Sequence, residues 1–334
     1  MNMKEKIIDY CKSLGLDTIG FTKCRVFEEL TPMYQYRIDN NLINEFEERD
    51  IEKRINPFLH FSEGKTIISI AFPYYSDTDY KLGKGFSIYT MGQDYHCVVN
   101  QYLSKICEFI MENGGVCKAF VDSNPLPERY IAYLCNLGFI GKNNMLITKK
   151  YGSFVFLGEI IMDLPLDIQE ENNRAYDKMI KYEECGSCEN CLKKCPTKAI
   201  NMHKKNPNIC LSYITQKKDL EDKFFNLMGQ RLFGCDTCQF ACPYNKDVST
   251  SPIKEFKPLE HMVNVDIEEL MNIDNAIFKE KYKLTSCGWR GKNILQRNAL
   301  IYVTNSGHKI TDLKEIKSPY IKDYYNRLLK QQEL

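Results

Sequence analysis

The chain has 334 residues, 43% hydrophobic and 27% charged, with 45 Lys and Arg against 44 Asp and Glu for a formal net charge of +1. This is ordinary globular material, long enough for two or three cores, and its overall charge announces no nucleic-acid partner. No apolar run reaches bilayer length, and Met1–Leu14 is polar and amphipathic rather than a secretory leader, so the expectation is a cytoplasmic monomer without membrane contact.

Ile7, Ile8, Cys11 and Leu14 share one face at helical spacing and predict a helix over Lys4–Leu14. The β-branched and aromatic runs Thr18–Phe21 and Thr66–Phe72 predict buried strands. Between them, Asp39–Arg54 leans acidic. Cys97–Asn113 predicts a long helix stopped by Gly114-Gly115. Just ahead of it, Asp94 reads as an N-cap and His96 as a surface or first-turn residue. Val116–Val121 predicts a strand and Pro127–Leu137 a helix with Pro in its first turn. Asp122 follows that strand. The carboxyl ends of strands line ligand crevices in open α/β sheets, which places Asp122 to exchange a proton; the competing reading is that Asp122 or Ser123 caps the next helix.

The loop Leu137–Asn144 carries Gly138 and Gly141, which allow close backbone approach to a large flat ligand, although Gly138 also suits a helix C-cap. Met145–Thr148 and Phe154–Met162 read as a strand pair turned at Tyr151-Gly152. Residues 1–165 therefore predict an α+β or mixed-sheet domain. No HExxH, Walker A or GxGxxG signature is present, which leaves nucleotide hydrolysis and dinucleotide binding without support.

Asp167–Lys181, rich in Glu and Asn, predicts a linker, and residues 182–247 a second domain of short helices between ligand loops. Its cysteines run Cys185-x2-Cys188-x2-Cys191-x3-Cys195-Pro196, then Cys235-x2-Cys238-x3-Cys242-Pro243, with Cys210 upstream as the eighth ligand. Three thiolates two residues apart wrap one face of an iron–sulfur cube, and in two-cluster ferredoxins the fourth Cys, before Pro, ligates the other cube. On that rule Cys185, Cys188, Cys191 and Cys242 hold one [4Fe–4S] cluster. Cys195, Cys210, Cys235 and Cys238 hold the second. Zinc also uses CxxC pairs, but four ligands suffice for it and the doubled Cys-Pro ending has no place there. Disulfide-dense chains are usually small and secreted. The remaining seven thiols point to a reducing compartment.

From residue 259 to 334 the chain turns helical, with helices predicted at Ile267–Lys281, Asn293–Thr304 and Ile310–Gln331. Lys281–Leu334 holds eleven Lys and Arg against four Asp and Glu. Such a basic end suits RNA phosphates, and equally suits solvated helix faces.

Several segments together resemble one family. They are Gly15–Phe21, Gly92-x-Asp94-Tyr95-His96, Val121-Asp122-Ser123-x-Pro125-x-x-Glu128-Arg129, Leu137–Lys142 and Gly152-Ser153-x-x-Phe156-Leu157-Gly158-Glu159. Both cysteine runs follow, with Gly234-Cys235-Asp236-x-Cys238-Gln239, and later Arg297-Asn298-Ala299. In this order, over residues 5–247, the chain resembles the epoxyqueuosine reductases, cobalamin and iron–sulfur enzymes that complete queuosine modification at the tRNA wobble position.

The resemblance implies a ferredoxin-like two-cluster domain and a base-off cobalamin between it and the N-terminal domain. It also implies a tRNA anticodon stem–loop as partner and an external electron donor. The family's proton donor falls on Asp122, whose carboxyl would need a pKa raised by an apolar or cofactor-covered pocket. Arg54 resembles a corrin contact. Gly138, Ile140, Gly141 and Lys142, with the Gly152-Ser153 turn, would line the same cleft, and Gln216 and Lys218 would lie near cofactor and tRNA. Two departures stand out. The family's helical-repeat tail is reduced here to a short, HEAT-like segment after Trp289, and Ser87 occupies a position where some relatives carry a cysteine near cobalt. Two other readings remain beside this one: a cobalamin reductase of another substrate, as in reductive dehalogenases, and a corrin-free two-cluster electron carrier.

Overall fold

Thr66–Pro73 is buried at all eight positions, which requires cover on both faces. In the computed structural model, which describes residues 2–78, 80–168, 175–201, 205–308, 310 and 316–332, this segment is a central strand. Naming strands in chain order, β1 is Ile19–Lys23, β2 Thr66–Pro73, β3 Lys84–Phe86 and β4 Cys117–Phe120. Next come β5 Phe139–Ile140, β6 Leu146–Ile147, β7 Val155–Met162 and β8 Gln230–Phe233. The main sheet runs β1-β2-β7-β4 and is antiparallel throughout.

Alternation along β2 divides the interior. Ile68, Ile70 and Phe72 face a core shared with the Met3–Ser13 and Tyr95–Glu112 helices, whose Tyr10 and Phe109 rings stack at 4.3 Å. Ile67 and Ala71 face a second core, with Leu30, Tyr34 and the Glu128–Leu134 helix. The first core does not stop at residue 165. It continues through Leu232 and Phe233 of β8 to Leu295 and Ala299 of the Lys292–Asn305 helix. A third core joins Leu211–Met228 to the Pro319–Gln332 helix.

The parallel pairing found among the described residues is β3 with β8, which ties the N-terminal region to the cysteine segment. Three expectations need correction. Strand β6 pairs with β5, Phe139 opposite Ile147, and not with β7, whose two edges are taken by β2 and β4. Gly138 is not the helix cap: Asn136, at φ +58°, takes the left-handed position, while the Leu137 amide donates to Ala132 O at 3.0 Å. The expected Ile267–Lys281 helix is broken into Ile267–Met271, Asn275–Ile277 and a wider turn at Phe278–Tyr282, with Asp274 capping the second piece through its side chain. Elsewhere Ala175–Lys181 is helical within the expected linker. The final helix starts at Pro319, and residues 311–315 of the Ile310–Gln331 expectation lie outside the described residues. No helix among the described residues is long and apolar enough to cross a membrane.

Candidate active site

Asp122 leaves the end of β4 with φ +43°, a conformation uncommon for a residue with a side chain. The next helix begins after Pro127 without a side-chain cap, so neither Asp122 nor Ser123 caps it. The Asp122 carboxylate instead accepts hydrogen bonds from the Tyr95 hydroxyl and from His96 Nε2, the latter at 3.0 Å. The other imidazole nitrogen meets Asp94 Oδ1 at 2.8 Å, and the same oxygen caps the helix by accepting the His96 amide at 3.1 Å. Tyr95 is itself held between the His96 ring, 4.1 Å away, and Phe156, 4.3 Å away.

Two opposing effects act on the Asp122 carboxyl. Burial works to raise its pKa, but hydrogen bonds from His96 and Tyr95, with the His96 and Arg129 charges, outweigh it and hold the carboxyl below its usual range. For His96, burial disfavours the imidazolium, yet hydrogen bonds to Asp122 and Asp94 lift its pKa to about 9. At neutral pH the proton of the pair therefore sits on His96. The Asp122 side chain remains 53% exposed while surrounded by protein charges, as a group lining a cleft would be. Neighbouring Glu128 is pushed upward by burial and by the Asp122 charge. Tyr89 is raised by burial and then by the charges of Asp236, Cys287 and Asp122.

Four of the eight expected ligand thiols share a cavity and the others lie near one another, although among the described residues no three His, Cys, Asp or Glu side chains converge closely enough to hold a metal ion. Cys185, Cys188, Cys191 and Cys242 line one cavity, together with Lys142, Asn143 and Tyr244. Burial, then the charges of Cys185, Cys242 and Cys188, push the Cys191 thiol up to about 11. In the other group burial, Cys235 and Cys195 act on Cys210, which also rises to about 11. Cys238 is raised by burial, Cys210, Cys235 and Asp236, and it also feels Cys191, so the two groups are neighbours. Thiols that repel one another in this way are poor thiolates until iron supplies positive charge.

The other expected residues divide. Lys142 is buried, its ammonium donating to the carbonyls of Gly186 at 2.7 Å and Cys188 at 3.0 Å, so it braces a cysteine loop. Ser153 is buried too, its hydroxyl donating to Gln239 at 3.0 Å and its amide to Asn245 at 2.7 Å. At Gly152 an added Cβ would lie 2.1 Å from Asn245 Oδ1, and at Gly138 2.1 Å from Ile147 O. Gly138 is thus a crossing point of the β5–β6 hairpin. Ile140 is buried within it, and a Cβ on Gly141 would lie 2.7 Å from Ile147 Cδ1. Gln216 donates to Ser212 O at 2.8 Å and to Tyr89 Oη at 3.4 Å. The Lys218 side chain is exposed. Arg54 lies 4.4 Å over the Tyr34 ring; its Nε and Asn143 Nδ2 are buried donors without an acceptor in the protein. Ser87 is occupied, donating to the buried Asp236 carboxylate that Tyr80 also reaches at 2.7 Å.

Two contributors were missed from the sequence. His96 was read as a bystander, because its partner Asp122 lies 26 residues away and only the fold joins them. The Asp94-Tyr95-His96 run carried the signal. The other is Arg297, fully buried, whose guanidinium donates to the carbonyls of Thr215, Lys217 and Lys218. Asn298 adds a bond to Thr215 O at 2.8 Å, and Tyr320 to Lys218 O at 2.6 Å. The C-terminal helices thereby grip the Gln216 loop by its backbone.

Residues 184–245, which contain all eight of these cysteines, match the family model of a 4Fe–4S double cluster binding domain. Residues 54–123, which run from Arg54 past Asp122, match that of epoxyqueuosine reductase QueG. An epoxyqueuosine reductase of Bacillus anthracis is 37% identical over 310 residues, covering 90% of this chain and 79% of that protein. Another, from Lactococcus garvieae, is 33% identical over 336 residues, covering 97% and 93%. Among solved structures, an epoxyqueuosine reductase with an epoxyqueuosine-modified tRNA-Tyr stem loop gives a TM-score of 0.85 at 33% identity, over 99% of this chain and 90% of that one. The Bacillus subtilis enzyme, seen with a catalytic aspartate loop swung out of its active site, gives 0.86 at 31% identity with the same coverage. With such similarity over at least nine-tenths of its length, the chain belongs to the epoxyqueuosine reductase family of oxidoreductases.

Proposed function

We propose that this protein reduces epoxyqueuosine to queuosine at the wobble position of tRNA in the cytoplasm, with two [4Fe–4S] clusters and a cobalamin, fed by an external electron donor. The observation that carries the reading is the Asp94–His96–Asp122 hydrogen-bonded chain, half open to solvent, in a fold that also gathers Cys185, Cys188, Cys191 and Cys242 around one cavity. A plain electron carrier has no use for such a site.

Turning an epoxide into an alkene consumes two electrons and two protons and releases one water. When bound, the clusters would supply one-electron transfer and the cobalamin a strong reductant toward the epoxide. Cys185, Cys188, Cys191 and Cys242 would hold one cluster, and Cys195, Cys210, Cys235 and Cys238 the other. The unsatisfied donors Arg54 Nε and Asn143 Nδ2 fit a cofactor whose rim carries amide oxygens and a phosphate. Arg129 and Lys205 add positive charge: burial and then the Arg129 charge lower Lys205 to about 7, so an anion placed there would be welcome to both.

Protons are the task of the chain's own residues. Ligand binding excludes water from the half-exposed Asp122 and raises its affinity for a proton. His96, already charged and 3.0 Å away, supplies that proton and Asp122 passes it to the leaving oxygen, while solvent provides the second proton of the departing water. Tyr95 and Asp94 hold the two partners in line.

The decisive assay is anaerobic. Reconstituted protein with cobalamin and a reductant is expected to convert a stem–loop carrying epoxyqueuosine to the queuosine form, read by mass spectrometry. Asp122→Ala should keep cluster absorbance and cobalamin binding and lose turnover. Wild-type protein that binds cobalamin yet leaves the stem–loop unchanged would remove the substrate assignment.

A further inference from the structure

We infer that Trp289, with Phe46 and Arg290 packed against it, is a stacking platform for an unpaired RNA base beside the substrate nucleotide; the inference rests on the RNA reading above and adds where the strand lies. Trp289 is the chain's one tryptophan. It is 53% exposed, and Phe46 beside it is 41% exposed. The two rings meet edge-on with centroids 5.2 Å apart, and Phe46 meets Tyr213 in the same manner at 5.3 Å. The Arg290 guanidinium lies 4.7 Å from the Trp289 ring and 5.3 Å from Phe46. Rings that merely fastened two segments together would be covered. These are held rigid and left half in water.

Their position is what gives the patch meaning. Arg290 Nε donates to Gln216 O at 2.8 Å, and the Gln216 side chain reaches Tyr89, whose hydroxyl feels the Asp122 charge. At the other end of the same segment, Leu284 O accepts the backbone amide of Asp94, the residue that orients His96. Residues 284–290 thus run along the rim of the proton site, anchored on both sides. Residues 281–292 carry Lys281, Lys283, Arg290 and Lys292 and no acid; Glu45, next to Phe46, is hydrogen-bonded to Tyr213.

Aromatic faces flanked by arginine are how proteins hold unpaired bases, because every base has a π-face to offer and the cation attracts the phosphates around it. An anticodon loop that inserts its wobble nucleotide toward Asp122 must leave adjacent bases at the rim. A protein electron donor is the competing occupant. It must approach the thiols, and the cavity lined by Cys185, Cys188, Cys191 and Cys242, the more open of the two thiol groups, shares no residue with this patch, although Tyr213 beneath Phe46 follows Cys210.

Since the chain has one tryptophan, indole emission reports on this ring alone. Cluster-loaded protein is titrated with the anticodon stem–loop while the anisotropy of a dye on the RNA follows binding independently. The expected result is quenching of Trp289 in step with binding, and no quenching by a fully paired RNA duplex. Trp289→Leu should weaken stem–loop binding roughly ten-fold or more with cluster absorbance and melting temperature unchanged, and Trp289→Phe should restore most of it. Should the leucine variant misfold, the wild-type emission titration still decides. Binding with unchanged emission, and a leucine variant that binds like wild type, would overturn the platform and leave the RNA reading standing. Absence of stem–loop binding would remove both. Quenching by a ferredoxin or flavodoxin but not by RNA would hand the patch to a protein partner and overturn the inference.

Discussion

Asp122 and His96 share one proton, and their environments push them in opposite directions. His96 binds its proton more tightly folded than unfolded, its pKa rising from 6.5 to about 9. Its contribution to stability is therefore complete below about pH 6.5 and lost as pH rises through about 9. Asp122, held below its usual range, contributes above its unfolded pKa and loses that contribution on acidification. Comparing thermal melts of wild type and His96→Gln should show a gap that is widest in mildly acid solution and closes by about pH 10. Turnover should show the same alkaline limb, absent in the variant; a limb that persists there would assign the proton elsewhere. Asp122→Asn, which preserves shape, is expected to lower turnover by about 10²–10⁴-fold with cluster absorbance unchanged.

Elements hold these residues through close backbone approaches and buried donors. The β5–β6 hairpin crosses itself at Gly138, where a Cβ would sit 2.1 Å from Ile147 O. Gly138→Ala should cost about 1–3 kcal/mol or more in denaturant melts. Spacing alone did reveal a glycine-dependent loop here. It misjudged the reason, because the atom that excludes a side chain belongs to a strand nine residues later. Arg297 is the counterpart in the C-terminal helices. It has carbonyls in place of a carboxylate partner, and its removal strands those of Thr215, Lys217 and Lys218. Arg297→Met should cost about 3 kcal/mol or more. Arg297→Lys should recover little, since one ammonium does not reproduce a planar fork. Hydrogen–deuterium exchange over residues 215–220 is the direct check.

Across the whole molecule, the three segments legible in the sequence are not three separate interiors. One core runs from Ile7 to Ala299, β3 pairs with β8, and Lys142 and Asn245 bolt the cysteine loops to the N-terminal region. Damage at a cluster should accordingly travel. Cys191→Ala is expected to drop iron from about eight to about four atoms per chain and to lower the melting temperature of the whole protein in one transition, not to melt the cysteine segment alone. Metal analysis and calorimetry test both halves, and zinc in place of iron would sink the cluster assignment.

The sequence by itself determined the local periodicities, the eight thiols with their division into two sets, and the acid at the end of β4. Each of these is written in spacing along the chain. Only the tertiary structure decided that His96 carries the proton, that β6 pairs with β5, that Lys142 and Ser153 brace the cysteine segment, and that Arg297 grips the Gln216 loop. All four depend on where a hydrogen-bonding partner from elsewhere in the chain comes to rest in space, and on how burial and neighbouring charge there redistribute protons. Linear spacing encodes neither.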